Sequence, residues 1–161
     1  MRARSRRYPA GRNVRPAPAV ALTMDFNQQI IDTFRANNGE VNEPMRFGTS
    51  LVLVHVPKKD GTERVRPLAS IHLDNGWHVV ASAAGAPKHP AWVYGLRRAQ
   101  HVQIEVPGEP IRTLTAAVSE LEEPARAAMW ERFKALSPGF AEYEKTSEGR
   151  VFPIFRLSGL D

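Results

Sequence analysis

Hydrophobic positions along this chain mark out six short strands and two helices. From Asp25 onward, Phe26, Ile30, Ile31 and Phe34 fall on one stripe at helical spacing, and Asn37-Asn38-Gly39 supplies a C-cap. Asp25 is placed as the N-cap. The stripe predicts a helix laid on a core, with at most a peripheral membrane contact as its second use. Ser50 to Val56 is a strongly apolar, β-branched run, the pattern of a buried strand, and Pro57-Lys58-Lys59-Asp60-Gly61 turns it. Arg64 to Leu73 and Gly76 to Ser82 read as the second and third strands, joined by Asp74-Asn75-Gly76, the clearest hairpin signal in the chain. His101 to Val106 and Ile111 to Val118 alternate around Pro107-Gly108-Glu109. A helix is predicted over Pro124 to Leu136, with the proline in its first turn, and Phe152 to Leu157 closes the chain as a sixth strand. With few helices between them, six strands predict an antiparallel sheet closed into a small barrel, an α+β fold that is mainly β.

Composition narrows the functional classes. At 161 residues, 42% hydrophobic and 24% charged, the chain is one domain with a normal core, and no stretch approaches the ~20 apolar residues of a membrane span. The absence of cysteine excludes disulfides, thiolate catalysis and Cys-ligated metal centres. The net charge of +5 is concentrated at the start. Residues 1–23 hold six of the 22 basic side chains and no acid, so the remaining 16 basic side chains face 17 acidic ones. The fold itself is therefore near neutral and no nucleic-acid partner is implied. Residues 1–23 read as a disordered basic tail, or as upstream sequence ahead of a start at Met24, with the folded domain at 24–161. Arg6-Arg7 lacks the apolar core of an export signal, so a cytoplasmic protein is expected.

Three constellations carry candidate chemistry. Val79 to Trp92 breaks from an apolar strand into small residues, Ser82 to Ala86, and then a Pro87-Lys88-His89-Pro90 corner. Small side chains let a ligand approach the backbone, and the pattern leaves the N–H groups of Ala83 to Ala86 and the Lys88 ammonium for a flat or anionic ligand; an ordinary small-residue loop is the alternative. The basic turn Lys58-Lys59-Asp60-Gly61, with Arg64 and Arg66, has the makings of a phosphate or carboxylate clamp, or of a solvated hairpin tip. Phe140 and Tyr143 follow a helix three residues apart, which suits a pocket wall with one phenol or a packed corner. His55, His72 and His78 fall in strands as structural residues, and no P-loop, dinucleotide fingerprint or nucleophile elbow is present.

In this order, over roughly residues 26–157, the pieces resemble the deazaflavin-dependent nitroreductase family of split-barrel oxidoreductases. The family's Gly-Arg-Lys-Ser-Gly-x-x-Arg-x-x-Pro-Leu segment is matched by Lys58, Lys59, Gly61, Arg64, Pro67 and Leu68. Its Ala-Ser-x-Gly-Gly-x-x-x-His-Pro-x-Trp segment is matched by Ala81, Ser82, Gly85, His89, Pro90 and Trp92. Pro138, Phe140 and Tyr143, then Arg150, Pro153 and Ile154, match its closing segments. Pro57, Asp60, Ala83, Ala84 and Gly95 depart from the pattern.

The resemblance implies a six-stranded split β-barrel of FMN-binding type with flanking helices, and coenzyme F420 as cofactor in preference to FMN. It implies an acidic cofactor tail held by Lys58, Lys59, Arg64 and Arg66, with Gly61, Pro67 and Leu68 alongside. The deazaflavin ring is then expected near Ser82, Ala83, Ala84, Gly85, Ala86, Pro87, Lys88, His89 and Trp92. Tyr143 and Ser82 are implied to orient a small-molecule acceptor (a nitroaromatic, quinone or activated enone), with Phe140 as a wall; the assembly is left open, a homodimer being one form. The alternatives are an FMN-dependent barrel enzyme and a non-catalytic cofactor-binding protein.

Overall fold

A computed structural model of the chain describes the backbone of residues 19–160 and the side chains of residues 26–160. Six strands close into a barrel: β1 (Leu51–Pro57), β2 (Glu63–Leu73), β3 (Gly76–Val80), β4 (His101–Val106), β5 (Arg112–Glu120) and β6 (Ile154–Gly159), in the order β1-β2-β3-β6-β5-β4. Every pairing is antiparallel. Four helices flank it: α1 (Ala19–Ala36), α2 (Ala91–Arg98), α3 (Ala125–Leu136) and α4 (Pro138–Thr146). The predicted barrel and its strand count therefore stand, with boundaries shifted by a residue or two.

The β1 run is apolar apart from His55 because both its faces are covered. Val52, Val54 and Val56 point into the barrel with Trp77, Val79, Ile104, Phe155 and Leu157. Leu51 and Leu53 point outward and are roofed by Ile30, Ile31 and Phe34 of α1. The α1 stripe is thus buried on the barrel; among the described residues no helix is long and apolar enough to cross a membrane. A third cluster packs Trp130 and Phe133 of α3 on Val80, Phe152 and Ile154.

Two local expectations hold in detail. Asp74 and Asn75 both adopt positive φ, 52° and 59°, and Leu73 pairs with Gly76, which is a two-residue hairpin loop of the kind that matches strand twist. After α1, Asn38 and Gly39 turn left-handed and the Gly39 N–H donates to Phe34 O at 2.8 Å.

Three expectations are corrected. α1 begins at Ala19, so Asp25 lies inside it rather than at its cap, and residues 19–23 are helical rather than tail; the intervening alanines, Leu22 and Met24 are strong helix formers. The expectation of a disordered tail over the preceding residues lies outside the described residues. Ala91–Arg98 and Pro138–Thr146, read only as a segment and a corner, are helices.

Candidate functional site

At the barrel mouth beside the β1–β2 turn lies a cleft of about 910 Å³, a volume suited to a cofactor-sized ligand. Its walls are the end of β1, the turn Lys58-Lys59-Asp60, Arg64 and Arg66 of β2, and one face of α2. Strand register explains the arginines. Arg66 pairs with Val54 and Arg64 with Val56, and cross-strand partners share a face of the sheet, so both arginines emerge on the side that lines the barrel.

The turn itself is tied by local bonds. Lys58 N–H donates to Thr62 O at 2.8 Å, Gly61 N–H donates to Lys58 O at 3.1 Å, and Gly61 takes a φ of 90°. Asp60 Oδ1 accepts from the Thr62 hydroxyl at 2.6 Å and the Thr62 N–H at 2.9 Å, which together hold its carboxyl below the usual range. That carboxylate braces the turn as well as facing the cleft.

Across the cleft, α2 contributes Trp92, Tyr94, Arg97 and Arg98. The helix buries Trp92, Val93 and Leu96 in the barrel mouth, which leaves Tyr94, Arg97 and Arg98, spaced three and four apart, on its outer face. Arg97 is paired bidentately with Glu120, and Arg98 Nη2 donates to Pro57 O at 3.3 Å. Lys58, Lys59, Arg64 and Arg66 form no ion pair among the described residues. Arg66 is the sharpest case: it is half-buried, and both burial and the neighbouring Arg64 push its pKa down. A desolvated cation beside like charges is stabilised by an anion placed between them.

The small-residue loop leaves β3 and leads into α2. Ala83, Ala84 and Gly85 are all left-handed, at φ 48°, 54° and 80°. Gly85 N–H donates to Ser82 O and Ala86 N–H to Ala83 O, so of the four N–H groups expected to be open, only those of Ala83 and Ala84 lack an acceptor among the described residues. Ser82 is buried, whereas Pro87 and Lys88 are exposed. α4 backs the loop: Thr146 Oγ1 donates to Gly85 O at 2.9 Å, and a Cβ on Gly85 would stand 2.9 Å from Tyr143 Cα.

The expected site residues fall into two groups. Lys58, Lys59, Arg64, Arg66 and Trp92 meet in the cleft; Gly61 shapes its turn, and Leu68 packs on the barrel interior. Ser82 to His89 form the loop on the other side of α2's start, with Tyr143 and Phe140 against α3, where their rings meet edge-on at 5.9 Å. Asp60 lines the cleft with the turn that carries it, whereas sequence reasoning did not place Arg97 or Arg98 there, nor the grip of Arg150 on the loop. A helical reading of Ala91–Arg98 would have found the two arginines.

The expected strand histidines have structural partners. His55 Nε2 lies 2.7 Å from Glu105, His78 Nδ1 lies 3.1 Å from Ile71 O, and His72 stacks on Trp77 with ring centroids 4.2 Å apart.

A closed antiparallel six-stranded barrel with a cationic mouth and helices over its faces has the architecture of a split barrel. The profile of the F420H(2)-dependent quinone reductase family matches residues 26–158, and the chain belongs to that family. It is accordingly an F420H2-dependent oxidoreductase. A Mycobacterium tuberculosis (strain H37Rv) protein with the provisional name F420H(2)-dependent quinone reductase Rv3178 is 35% identical over 85 residues, which cover 52% of this chain and 67% of that protein. Among solved structures, an F420-H2 dependent reductase, FDR-A, superposes with a TM-score of 0.60 at 27% identity, covering 68% of this chain and 94% of that one. A chain described as a domain-swapped dimer gives 0.61 at 24% identity, covering 85% and 99%. A pyridoxamine 5'-phosphate oxidase-related, FMN-binding protein from Nostoc punctiforme gives 0.51 at 12% identity, covering 90% and 82%, a likeness of fold.

Proposed function

We propose that this protein binds reduced F420 with its acidic tail in the cationic cleft and its ring at the Ser82–His89 loop, and reduces a small electron-poor acceptor. Quinones come first among acceptors, with nitroaromatics and activated enones as further candidates. The observation that carries the reading is Arg66, half-buried beside Arg64, Lys58 and Lys59 with no carboxylate partner among the described residues. Four cations without ion-pair partners suit a tail bearing several negative charges better than the single phosphate of FMN.

When bound, the reduced deazaflavin supplies a hydride from C5 and a proton, together the two-electron reduction of a quinone to its hydroquinone. The chain's own work is placement. Lys58, Lys59, Arg64 and Arg66 would hold the tail, Trp92 would offer an aromatic wall at the barrel mouth, and the Ala83 and Ala84 N–H groups would be the backbone donors toward the ring. Ser82 and Tyr143 orient the acceptor and Phe140 walls it. No acid–base dyad is required of the protein.

The test titrates purified protein with F420 and with FMN, then measures quinone reduction by the reduced form of each. Tight F420 binding with turnover is expected. Binding of FMN in preference, or F420 binding without turnover of any quinone or nitro compound, overturns the reading.

A further inference from the structure

Arg150 stands in the segment between α4 and β6, distant in sequence from the loop it touches. Its Nε donates to Ala86 O at 2.8 Å, Nη1 to Ala81 O at 3.0 Å, Nη2 to Ser82 O at 2.7 Å, and Nη1 also meets His89 Nδ1 at 2.7 Å. Every one of these acceptors belongs to one segment, 81–89. The guanidinium carbon lies over the Phe152 ring, 4.6 Å from its centroid. It has no carboxylate partner among the described residues, and burial lowers its pKa.

The segment it grips has an unusual backbone. Ala83, Ala84 and Gly85 are left-handed in succession, and two of the three carry a Cβ. Such a run persists only where its surroundings over-determine it. Carbonyls of Ala81, Ser82 and Ala86, immediately before and after the run, are the ones Arg150 holds. The His89 contact adds a second consequence. A guanidinium only donates, so His89 Nδ1 must be the acceptor, and neutral His89 then carries its proton on Nε2.

We propose that Arg150 is the positioning residue of the ligand loop: it clamps residues 81–89 in the left-handed form that leaves the Ala83 and Ala84 N–H groups available, and sets His89 as an Nε2–H donor. The role in ligand binding rests on the reading of this loop as the ring side of the cofactor site; the clamp itself does not. His89 lies 6.3 Å, ring to ring, from Tyr94, which lines the cleft, so one guanidinium organises the loop and its junction with the tail-binding half.

The test compares Arg150→Met and Arg150→Lys with the unaltered chain by amide hydrogen exchange and by ¹⁵N spectra of His89, without ligand. In folded Arg150→Met, whose Val54 and Ile104 amides stay protected, Gly85 and Ala86 should exchange at least tenfold faster and His89 should become a mixture of tautomers. Arg150→Lys, which replaces the planar fork with a single ammonium, should fall between. Identical exchange and tautomer in a folded variant overturn the proposal, and Arg150→Lys decides should the Met variant not fold. As a second readout, a deazaflavin lacking its acidic tail should bind Arg150→Met at least tenfold more weakly than the unaltered protein. If that compound binds neither, the assignment of the loop to the ring fails while exchange and tautomer still decide the clamp.

Discussion

A Cβ placed on Gly95 would stand 2.7 Å from the carbonyl oxygen of Pro57 and 2.5 Å from Val56 Cγ1, so α2 rests directly on the last two residues of β1. This closeness closes the barrel mouth and brings Arg98 within reach of Pro57 O. Gly95→Asn should force the helix outward and widen the cleft. Overpacking of this kind costs ~1–3 kcal/mol, or several degrees of melting temperature for a chain of this size. Calorimetry of the variant checks it, and an unchanged melt would mean that α2 moves aside freely.

The second prediction concerns pH. Buried Glu105 accepts two bonds from Arg35, at 2.9 and 2.6 Å, and one from His55 Nε2 at 2.7 Å, fastening α1 to β4 and β1. Hydrogen bonding by Arg35, and then by His55, holds the Glu105 carboxyl below its usual range against the opposing cost of burial. Asp32 lies near Arg35, and Glu63 lies 3.5 Å from His55 Nδ1. A carboxyl lowered in the folded state adds stability above its unfolded pKa of about 4.3, and that stability is lost as pH falls through the lower folded value. Glu105→Gln should therefore lower stability at pH 7 by ~1–3 kcal/mol, since Arg35 is partly solvated, and should flatten the fall in stability between about pH 5 and 3. Urea unfolding across that range measures both; equal slopes in the two proteins would remove Glu105 as the cause.

The barrel was legible because its signals are local. Alternation in β4, the strongly apolar β1 and the Asp74-Asn75 turn each act within a few residues, and each appears in the structure. α2 was not legible as a helix, because Pro90 and Gly95 read as loop residues until the barrel mouth supplies Val56 and Pro57 as the surface that requires a glycine. The basic turn and Arg64 could be found in sequence, whereas the inward aim of Arg66 depends on its register opposite Val54. Arg150 leaves still less trace. Three of its four acceptors are backbone carbonyls 64 to 69 residues away, which any side chain would offer equally.

For Tyr143 the expectation is kinetic. Its ring packs edge-on against Phe140 and its backbone abuts Gly85, so Tyr143→Phe keeps the packing and deletes only the phenol oxygen. Loss of one hydrogen bond made in the transition state, at ~1–3 kcal/mol, slows turnover roughly tenfold or more while cofactor affinity and melting temperature stay unchanged. Steady-state rates with several quinones and nitro compounds are the measurement. Equal rates across all of them would take Tyr143 out of the acceptor site.

The basic turn gives the most direct test of the cofactor assignment. Lys58 and Lys59 are exposed cations on the cleft wall, tied to the fold among the described residues by the backbone bonds of their turn alone, so reversing both charges leaves the core untouched. Lys58→Glu with Lys59→Glu should weaken F420 binding by tenfold or more, taking exposed charge-assisted contacts at ~1 kcal/mol each and adding the repulsion of two new carboxylates. Affinity of the unaltered protein should also fall with added salt, as the screening length shrinks from about 10 Å at 0.1 M toward 3 Å at 1 M. Asp60→Ser should act in the opposite direction. The serine hydroxyl can take over the bonds to Thr62 that the carboxylate now accepts, while a negative charge leaves the cleft wall. A tail-less deazaflavin should bind all of these proteins alike, because it reaches only the loop and Trp92. Should the double charge reversal leave affinity for intact F420 unaltered, the four cations at the barrel mouth do not hold the tail, and the cofactor must enter by another face.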